Sequence, residues 1–261
     1  GVLKTRNKLF KYCEGDYIAF QDADDLSHPE RFIVQLNAFM RDPDLMLCGT
    51  NFSYINKKSR VFYTENVVET DTGIKNKLSE KNMFQFPSIM IDTKVLKSVG
   101  GFREEFRQLG NISDDYDWIL RISEQFKVGN VNYNETLYYY RSIPGSLTRS
   151  QFGPSRLIGH QIAQYLAKQR ISTGTDDLIL HKMSNLLTVK EKLLEPYLTD
   201  PSLVYRKLAA SFMFNRLFLQ AIVNSLQAIW KNPLTFVNYQ TLQYCLRKSL
   251  ASIFLESTSS N

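Results

Sequence analysis

The spacing of apolar positions changes partway along the chain. Up to about Ser150, short apolar runs alternate with amphipathic stretches, the texture of a mixed α/β domain. Asp16–Gln21 (DYIAFQ) is a β-prone run that stops at Asp22-Ala23-Asp24-Asp25. It predicts a buried strand delivering acidic side chains at its C-terminal end, where open α/β sheets hold ligands. Pro29 suits a first helical turn, and Phe32, Ile33, Leu36, Phe39 and Met40 then share a helical face. Met46–Ile55 and Phe86–Asp92 read as strands, and Thr93–Val99 as a short helix stopped by Gly100-Gly101. Ser113 stands where it can cap a helix reaching Phe126, with Asp114, Asp115 and Asp117 in the first turn, where the macrodipole favours negative charge. Val128–Val131 and Thr136–Arg141 read as short strands.

After Gly153-Pro154 β-prone runs become rare, and no glycine follows Gly174. Four helical stretches are predicted: Ser155–Arg170, Asp176–Leu198, Pro201–Lys231 and Pro233–Glu256. Gly174, Pro201 and Asn232-Pro233 punctuate them. The pattern divides the chain into an α/β domain over residues 1–150 and a helical region over residues 155–261, read as paired antiparallel helices.

Composition narrows the class. At 43% hydrophobic residues the chain can build a real core, which excludes wholesale disorder. Cys13, Cys48 and Cys245 show no CxxC or Cys/His spacing, which argues against a disulfide framework or a zinc site and fits a reducing, cytoplasmic compartment. The opening GVLKTRNKLFKYCEGD has no apolar h-region, so it is not read as a signal peptide, and no run reaches the ~18 apolar residues of a membrane span. All of the +6 formal net charge falls in residues 155–261. That asymmetry suits an anionic surface, and equally suits ordinary solvated helices. No nucleic-acid partner is expected.

Two acidic clusters carry candidate chemistry. Asp22-Ala23-Asp24 at a strand end can hold a divalent cation, once a turn re-aims carboxylates that an extended chain would point to opposite faces. Mg²⁺ or Mn²⁺ takes one or two protein carboxylates and completes its shell with phosphates and water. The bland alternative is a solvated acidic loop. Asp114-Asp115-x-Asp117 is either a charged helix start or the home of a general base, since like charges nearby make a carboxylate a better proton acceptor.

Set in order, these segments resemble the family 2 glycosyltransferases. The stretch GVLKTRNKLFKYCEGDYIAFQDADDLSHPERF matches the family's Arg-Asn, Gly-Asp-Tyr-Ile and Asp-x-Asp succession. FPSIMIDTKVLKSVGGFREEF, SDDYDWILRI and LYYYRSIPGSLTRS then resemble its later motifs, so the likeness covers roughly residues 1–150. The resemblance implies a GT-A fold: a mostly parallel sheet with flanking helices and one nucleotide-sugar site. It implies Asp24 as the metal-binding carboxylate, with Asp22 near the ribose or in the metal's water shell. Asp115 is implied as the base that deprotonates the acceptor hydroxyl. Arg6 and Asn7 match the pair near the nucleotide, while Arg121 and Arg141 match arginines that either neutralise phosphate or brace the site. Tyr116 and Trp118 are candidates to stack on a sugar, with core packing as the alternative. The activity implied is inverting, metal-dependent sugar transfer from a nucleotide-sugar donor to a saccharide or lipid-linked acceptor, in bacterial-type surface polysaccharide or glycolipid synthesis.

The chain departs from that pattern in two places. Many relatives carry a metal-accessible His two residues after the Tyr-Arg pair; here Ile143 stands there. Relatives also begin with βα units of roughly 30 residues each that grip the base. Two or more of these are expected to lie outside the 261 residues, which by themselves are then expected neither to bind nucleotide well nor to turn over. Two rivals stay open: a nucleotidyltransferase of similar fold, and a non-catalytic fragment or pseudoenzyme whose helices form an interaction module. Peripheral contact with the inner face of a membrane is expected through the helical region, with Phe212, Phe214, Phe218, Trp230 and Phe236 as contacts. The alternative is that these aromatics are that region's own core.

Overall fold

A computed structural model describes residues 1–110, 113–143 and 153–258, with side chains to Ala251. The chain forms two compact units: Gly1–Ile143 with Ile158–Lys190, and Pro144–Leu157 with Glu191–Asn261. The expected class is the one found: mixed α/β with flanking helices, and a helical C-terminal part.

The first unit opens with α1 (Val2–Phe10), β1 (Tyr17–Ala19), β2 (Leu26–Ser27) and α2 (Arg31–Arg41). β3 (Leu45–Thr50), β4 (Phe52–Ile55), β5 (Val61–Glu65) and α3 (Asp71–Leu78) follow. After a 3-10 turn at Phe86–Ser88 come β6 (Met90–Asp92), α4 (Lys94–Val99), α5 (Phe106–Leu109), α6 (Asp114–Gln125), β7 (Lys127–Val131) and β8 (Tyr138–Arg141). Among the described residues the strands make two four-stranded sheets, ordered β1-β6-β3-β7 and β2-β8-β4-β5. In the first, β1 and β3 run antiparallel to β6 while β7 runs parallel to β3, so three strands share a direction. In the second, β4 and β8 are again parallel. The segments β3–β4 and β7–β8 therefore travel together from one sheet into the next.

That passage splits the strand expected over Met46–Ile55. Asn51 sits at the change of sheet, donating its backbone N–H to Val131 and its side-chain amide to the Tyr133 and Glu135 carbonyls. The acidic loop after β1 makes the same passage, since β1 belongs to the first sheet and β2 to the second. β1 itself is not the buried strand expected. It lies at a sheet edge with Tyr17 and Ala19 exposed.

The face expected for α2 is also corrected. Phe39 is buried, but Phe32, Ile33 and Met40 are exposed, and Arg31 and Gln35 take the inner stripe. Arg31, Gln35 and Phe39 are four apart, so one helical stripe carries them all. The two polar side chains find acceptors inside: Arg31 donates to the Phe20 carbonyl, and Gln35 to the carbonyls of Cys48 and Ser88.

The C-terminal helices are α7 (Pro154–Leu157), α8 (Gly159–Thr173), α9 (Met183–Thr199), α10 (Ser202–Phe214), α11 (Phe218–Lys231) and α12 (Phe236–Thr258). The helix expected from Pro201 to Lys231 is broken at Asn215–Leu217, where Arg216 takes a φ of 55°. Residues Asp176–Lys182, expected to be helical, form turns instead, because the Asp176 carboxylate accepts the Leu178 and Ile179 N–H groups. In the second unit Ala209, Ala221 and Cys245 meet in a core of small residues, with Phe212 packed against it.

Candidate active site

The acidic turn is fastened from below. Asp25 is buried, and its carboxylate accepts the Tyr138 hydroxyl at 2.6 Å and the Arg141 backbone N–H at 2.6 Å. Tyr138 also accepts the Asp22 backbone N–H at 3.3 Å. The Arg141 guanidinium donates to the Asp24 carbonyl at 2.7 Å and to the Asn56 carbonyl and the Ser59 hydroxyl. With Asp25 and the backbone so held, the Asp24 side chain is exposed and the Asp22 side chain half-buried. Burial pushes the Asp25 carboxyl up to about 6, opposed by the Arg141 and Tyr138 hydrogen bonds. Burial raises the Tyr138 phenol as well, which keeps it a donor.

Arg31 completes the support. It is fully buried, and its donors reach the Phe20 carbonyl (2.6 Å), Ser27 Oγ (2.7 Å), Gln21 Oε1 (3.0 Å) and Gln35 Oε1 (3.2 Å). Gln21 passes the contact on by donating to the Asp22 carbonyl at 3.0 Å. All four acceptors of Arg31 are neutral, and its guanidinium lies 5.0 Å from the Tyr138 ring centroid. Burial without a carboxylate partner lowers its pKa to about 10.

The second acidic cluster begins α6. Ser113 occupies the cap position but makes no side-chain cap bond. Its φ of 56° puts it in the left-handed region, which costs a non-glycine residue about 1–2 kcal/mol. The three acids that follow are not equivalent. Asp117 is fully buried and serves the core: Arg121 Nε lies 2.9 Å, Arg103 Nε 3.5 Å and Arg170 Nη1 3.4 Å from its carboxylate. Asp176 and Glu124 complete that network through Arg103 and Arg170. Asp114 lies 3.8 Å from Arg6, and burial, with Asp115 adding to it, pushes its carboxyl up to about 6. Asp115 accepts the Tyr116 backbone N–H at 2.8 Å and is part-exposed.

These pieces converge. Burial raises the Asp22 carboxyl, Arg6 pulls it back, and the charges of Asp24 and Asp115 push it further. Asp22 thus lies within the fields of both Asp24 and Asp115, and Asp114 joins them through Arg6 and Asp115. Four carboxylates stand against two guanidinium groups, Arg6 and the Arg141 group bound to the Asp24 carbonyl, so the site has an excess of negative charge that a divalent cation would offset. Among the described residues no three His, Cys, Asp or Glu side chains form a ready-made metal set. The donors present suit a hard cation that draws most of its shell from phosphate and water.

Asn7, Arg121, Tyr116 and Trp118 are committed elsewhere. Asn7 donates to the Phe102 carbonyl (2.8 Å) and accepts the Phe102 N–H (2.9 Å), clamping α1 to the chain after Gly101. A Cβ at Gly101 would meet Asn7 Oδ1 at 2.3 Å, so a side chain there would displace the Asn7 clamp. Arg6 lies over Phe86, 5.0 Å from its centroid. Arg121 braces the Val99 and Gly101 carbonyls. Tyr116 and Trp118 are fully buried: the first donates to the Leu78 carbonyl, and the second packs among Phe10, Phe20, Phe86 and Phe102. Neither ring is open to a sugar.

Sequence reasoning passed over Arg31, Tyr138 and His160. Arg31 had the spacing of a core residue, and Tyr138 sat in a run of three tyrosines with no mark of its role. His160, exposed on α8, has its ring 4.8 Å from that of Tyr116 and lies within the field of Asp115. No local motif announced it.

Comparison with known proteins shows the family. The family model described as "Glycosyltransferase like family 2" matches residues 1–156. An uncharacterized glycosyltransferase of Methanocaldococcus jannaschii is 28% identical over 141 residues, covering 52% of this chain and 46% of its own. An uncharacterized glycosyltransferase of Haemophilus influenzae is 23% identical over 145 residues, covering 53% and 46%. An uncharacterized protein of Sinorhizobium fredii is 26% identical over 152 residues, covering 56% and 15%. The chain thus spans less than half the length of these relatives. Two solved structures align with 96% of it: S. aureus TarS, at 16% identity, 41% of that chain and a TM-score of 0.45, and the Pyrobaculum calidifontis mannosyltransferase PcManGT in complex with GDP-Man and Mn²⁺, at 15%, 66% and 0.43. The assignment rests on the family match, which covers more than half of the residues and joins the Arg6 helix, the acidic turn and the Asp115 helix: the chain belongs to the glycosyltransferase like family 2.

Proposed function

We propose that the protein transfers a sugar from a nucleotide-sugar donor to an acceptor hydroxyl with inversion, using Asp115 as base and Asp24, with Asp22, as the carboxylates toward Mg²⁺ or Mn²⁺. The observation that carries this reading is the convergence of the two acidic motifs on Arg6: its guanidinium lies 3.8 Å from Asp114, the neighbour of Asp115 at the start of α6, and both Arg6 and Asp115 act on Asp22 in the turn after β1. A cation bound there supplies charge neutralisation for the departing diphosphate. Asp24 is the exposed acid of the turn and the better placed to meet it. Asp115 takes the acceptor proton as the hydroxyl attacks the anomeric carbon. One base and one displacement give inversion. Arg6, beside Asp114 and above Phe86, is read as a diphosphate-side cation. Asn7, Arg121 and Arg141 are read as positioning residues, since each is tied to backbone groups around the site. We place the protein in surface polysaccharide or glycolipid synthesis at the inner face of a membrane.

The test is Asp115→Asn in the full-length protein, assayed for transfer from UDP-, GDP- and TDP-sugars. General-base catalysis is worth about 10²–10⁴-fold, so kcat is expected to fall by at least a hundredfold with donor affinity unchanged. A loss below about tenfold removes Asp115 from the role.

A further inference from the structure

We propose that α11 is a membrane-docking helix, which lays an apolar stripe and its flanking cations onto an anionic lipid surface. This deepens the membrane-side placement made above and stands on the second unit alone. The stripe is Leu219, Val223, Leu226 and Trp230, exposed by 71%, 44%, 51% and 76%. At 100° per residue these four fall within a sector of about 60°, and the stripe runs for about 17 Å.

The usual arrangement of an amphipathic helix is inverted here. The inner face of α11 is built from the small residues Ala221, Ser225 and Ala228, all buried. Ala221 packs with Ala209 and Cys245, and Ser225 donates to the Ala221 carbonyl and reaches Cys245 Sγ at 3.3 Å. Small residues let the helices approach closely, and the large side chains are left outside. Leu234 and Phe236, which follow the helix in sequence, are exposed as well, by 94% and 71%. The aromatics expected at a membrane thus divide: Phe212 belongs to the core, while Phe214, Trp230 and Phe236 face outward. An exposed apolar stripe of this kind on one helix face marks an interaction site.

Charge identifies the occupant. From Ser202, the start of α10, onward the chain has six lysines and arginines and one acidic residue, Glu256, while Asp200, just before α10, is taken up by Arg206 at 2.8 Å and by Asn232. Arg216 and Lys231 bracket the stripe and are both exposed, and no acidic residue lies between them. The Lys231 ammonium lies 4.6 Å from the Trp230 ring centroid, so a ring suited to the headgroup boundary has a cation beside it. A second copy would set these cations against cations. An anionic bilayer satisfies both features at once: acyl chains for the stripe and lipid phosphates or carboxylates for Arg216 and Lys231. No helix among the described residues is long and apolar enough to cross a membrane, so the contact is interfacial.

The experiment uses the 261-residue chain with vesicles of phosphatidylcholine alone or with phosphatidylglycerol, and reads flotation and tryptophan fluorescence. Of the two tryptophans, Trp118 is fully buried and Trp230 exposed, so a blue shift on binding reports Trp230. Salt-sensitive binding to the anionic vesicles, with quenching by brominated acyl chains, is expected. Lys231→Glu changes two units of charge, so affinity should fall about 30-fold at roughly one kcal/mol per charge. Leu226→Gln should weaken binding with its helical circular dichroism unchanged. Failure to float with anionic vesicles at low salt overturns the proposal, as does equal binding to neutral vesicles. Self-association abolished by Leu226→Gln, without flotation, assigns the stripe to a second copy and overturns it too. No donor or acceptor is present, so the result stands apart from the Asp115 assay.

Discussion

Replacing Tyr138 by Phe removes one oxygen from beneath the acidic turn and leaves the ring under Arg31. That oxygen donates to Asp25 at 2.6 Å and accepts the Asp22 N–H at 3.3 Å. A hydrogen bond to a charged group contributes about 1.5–3 kcal/mol, and the longer neutral bond less than about 1. The expected loss at pH 7.5 is therefore about 2–4 kcal/mol. The pH dependence identifies the cause. Burial has raised Asp25 from 3.8 to about 6, which corresponds to roughly 3 kcal/mol against the ionised form. For an acid raised in this way, the associated stability is whole below 3.8 and is lost as pH climbs through about 6. The Tyr138 bond holds the Asp25 value down, so its removal moves the folded pKa higher and carries the loss further up in pH. Urea denaturation of both proteins at several pH values is the assay. The gap between them should widen from pH 5 to pH 7.5. A gap that is flat in pH, or below about 0.5 kcal/mol throughout, refutes the reasoning.

Two other substitutions separate support from chemistry. Arg31→Lys leaves one ammonium, with three donors, to serve four acceptors around the turn, so stability should fall by about 2–4 kcal/mol and Mn²⁺ affinity in the presence of nucleotide should weaken with it; denaturation and Mn²⁺ titration within error of the parent protein would contradict this. Asp117→Asn leaves Arg103, Arg121 and Arg170 short of a carboxylate and should cost about 3–5 kcal/mol while leaving kcat per folded molecule near that of the parent. A kcat loss as large as that expected for Asp115→Asn would mean that the wrong acid of α6 has been assigned to the chemistry.

Much of the α/β region was legible because its signals are local. The apolar runs around Tyr17, Met90 and Val128, the stop at Gly100 and the acidic start of α6 each declared themselves within a few residues. Misreadings arose where a distant partner changed the meaning of a local pattern. Phe32, Ile33 and Met40 have helical spacing, yet Arg31 and Gln35 take the interior because carbonyls of Phe20, Cys48 and Ser88 await them. Asp114, Asp115 and Asp117 look alike in sequence, and the three arginines that claim Asp117 come from α6 itself, α8 and the chain before α5. The break at Arg216 left no glycine or proline to mark it. In α11, small residues at the inner positions and large ones outside reverse what hydrophobic periodicity alone leads one to expect.

The central claim is that the turn after β1 holds a divalent cation against a nucleotide-sugar diphosphate. Calorimetry on the full-length protein with UDP, GDP and TDP, each with Mn²⁺ or with chelator, tests it most directly. The account predicts that one nucleotide binds only with Mn²⁺, and that Asp24→Ala abolishes this binding. Mn²⁺ without nucleotide should bind weakly, since Ile143 cannot coordinate and the shell is then left to Asp24, diphosphate and water. Nucleotide binding that is indifferent to chelator and to Asp24→Ala would contradict the account.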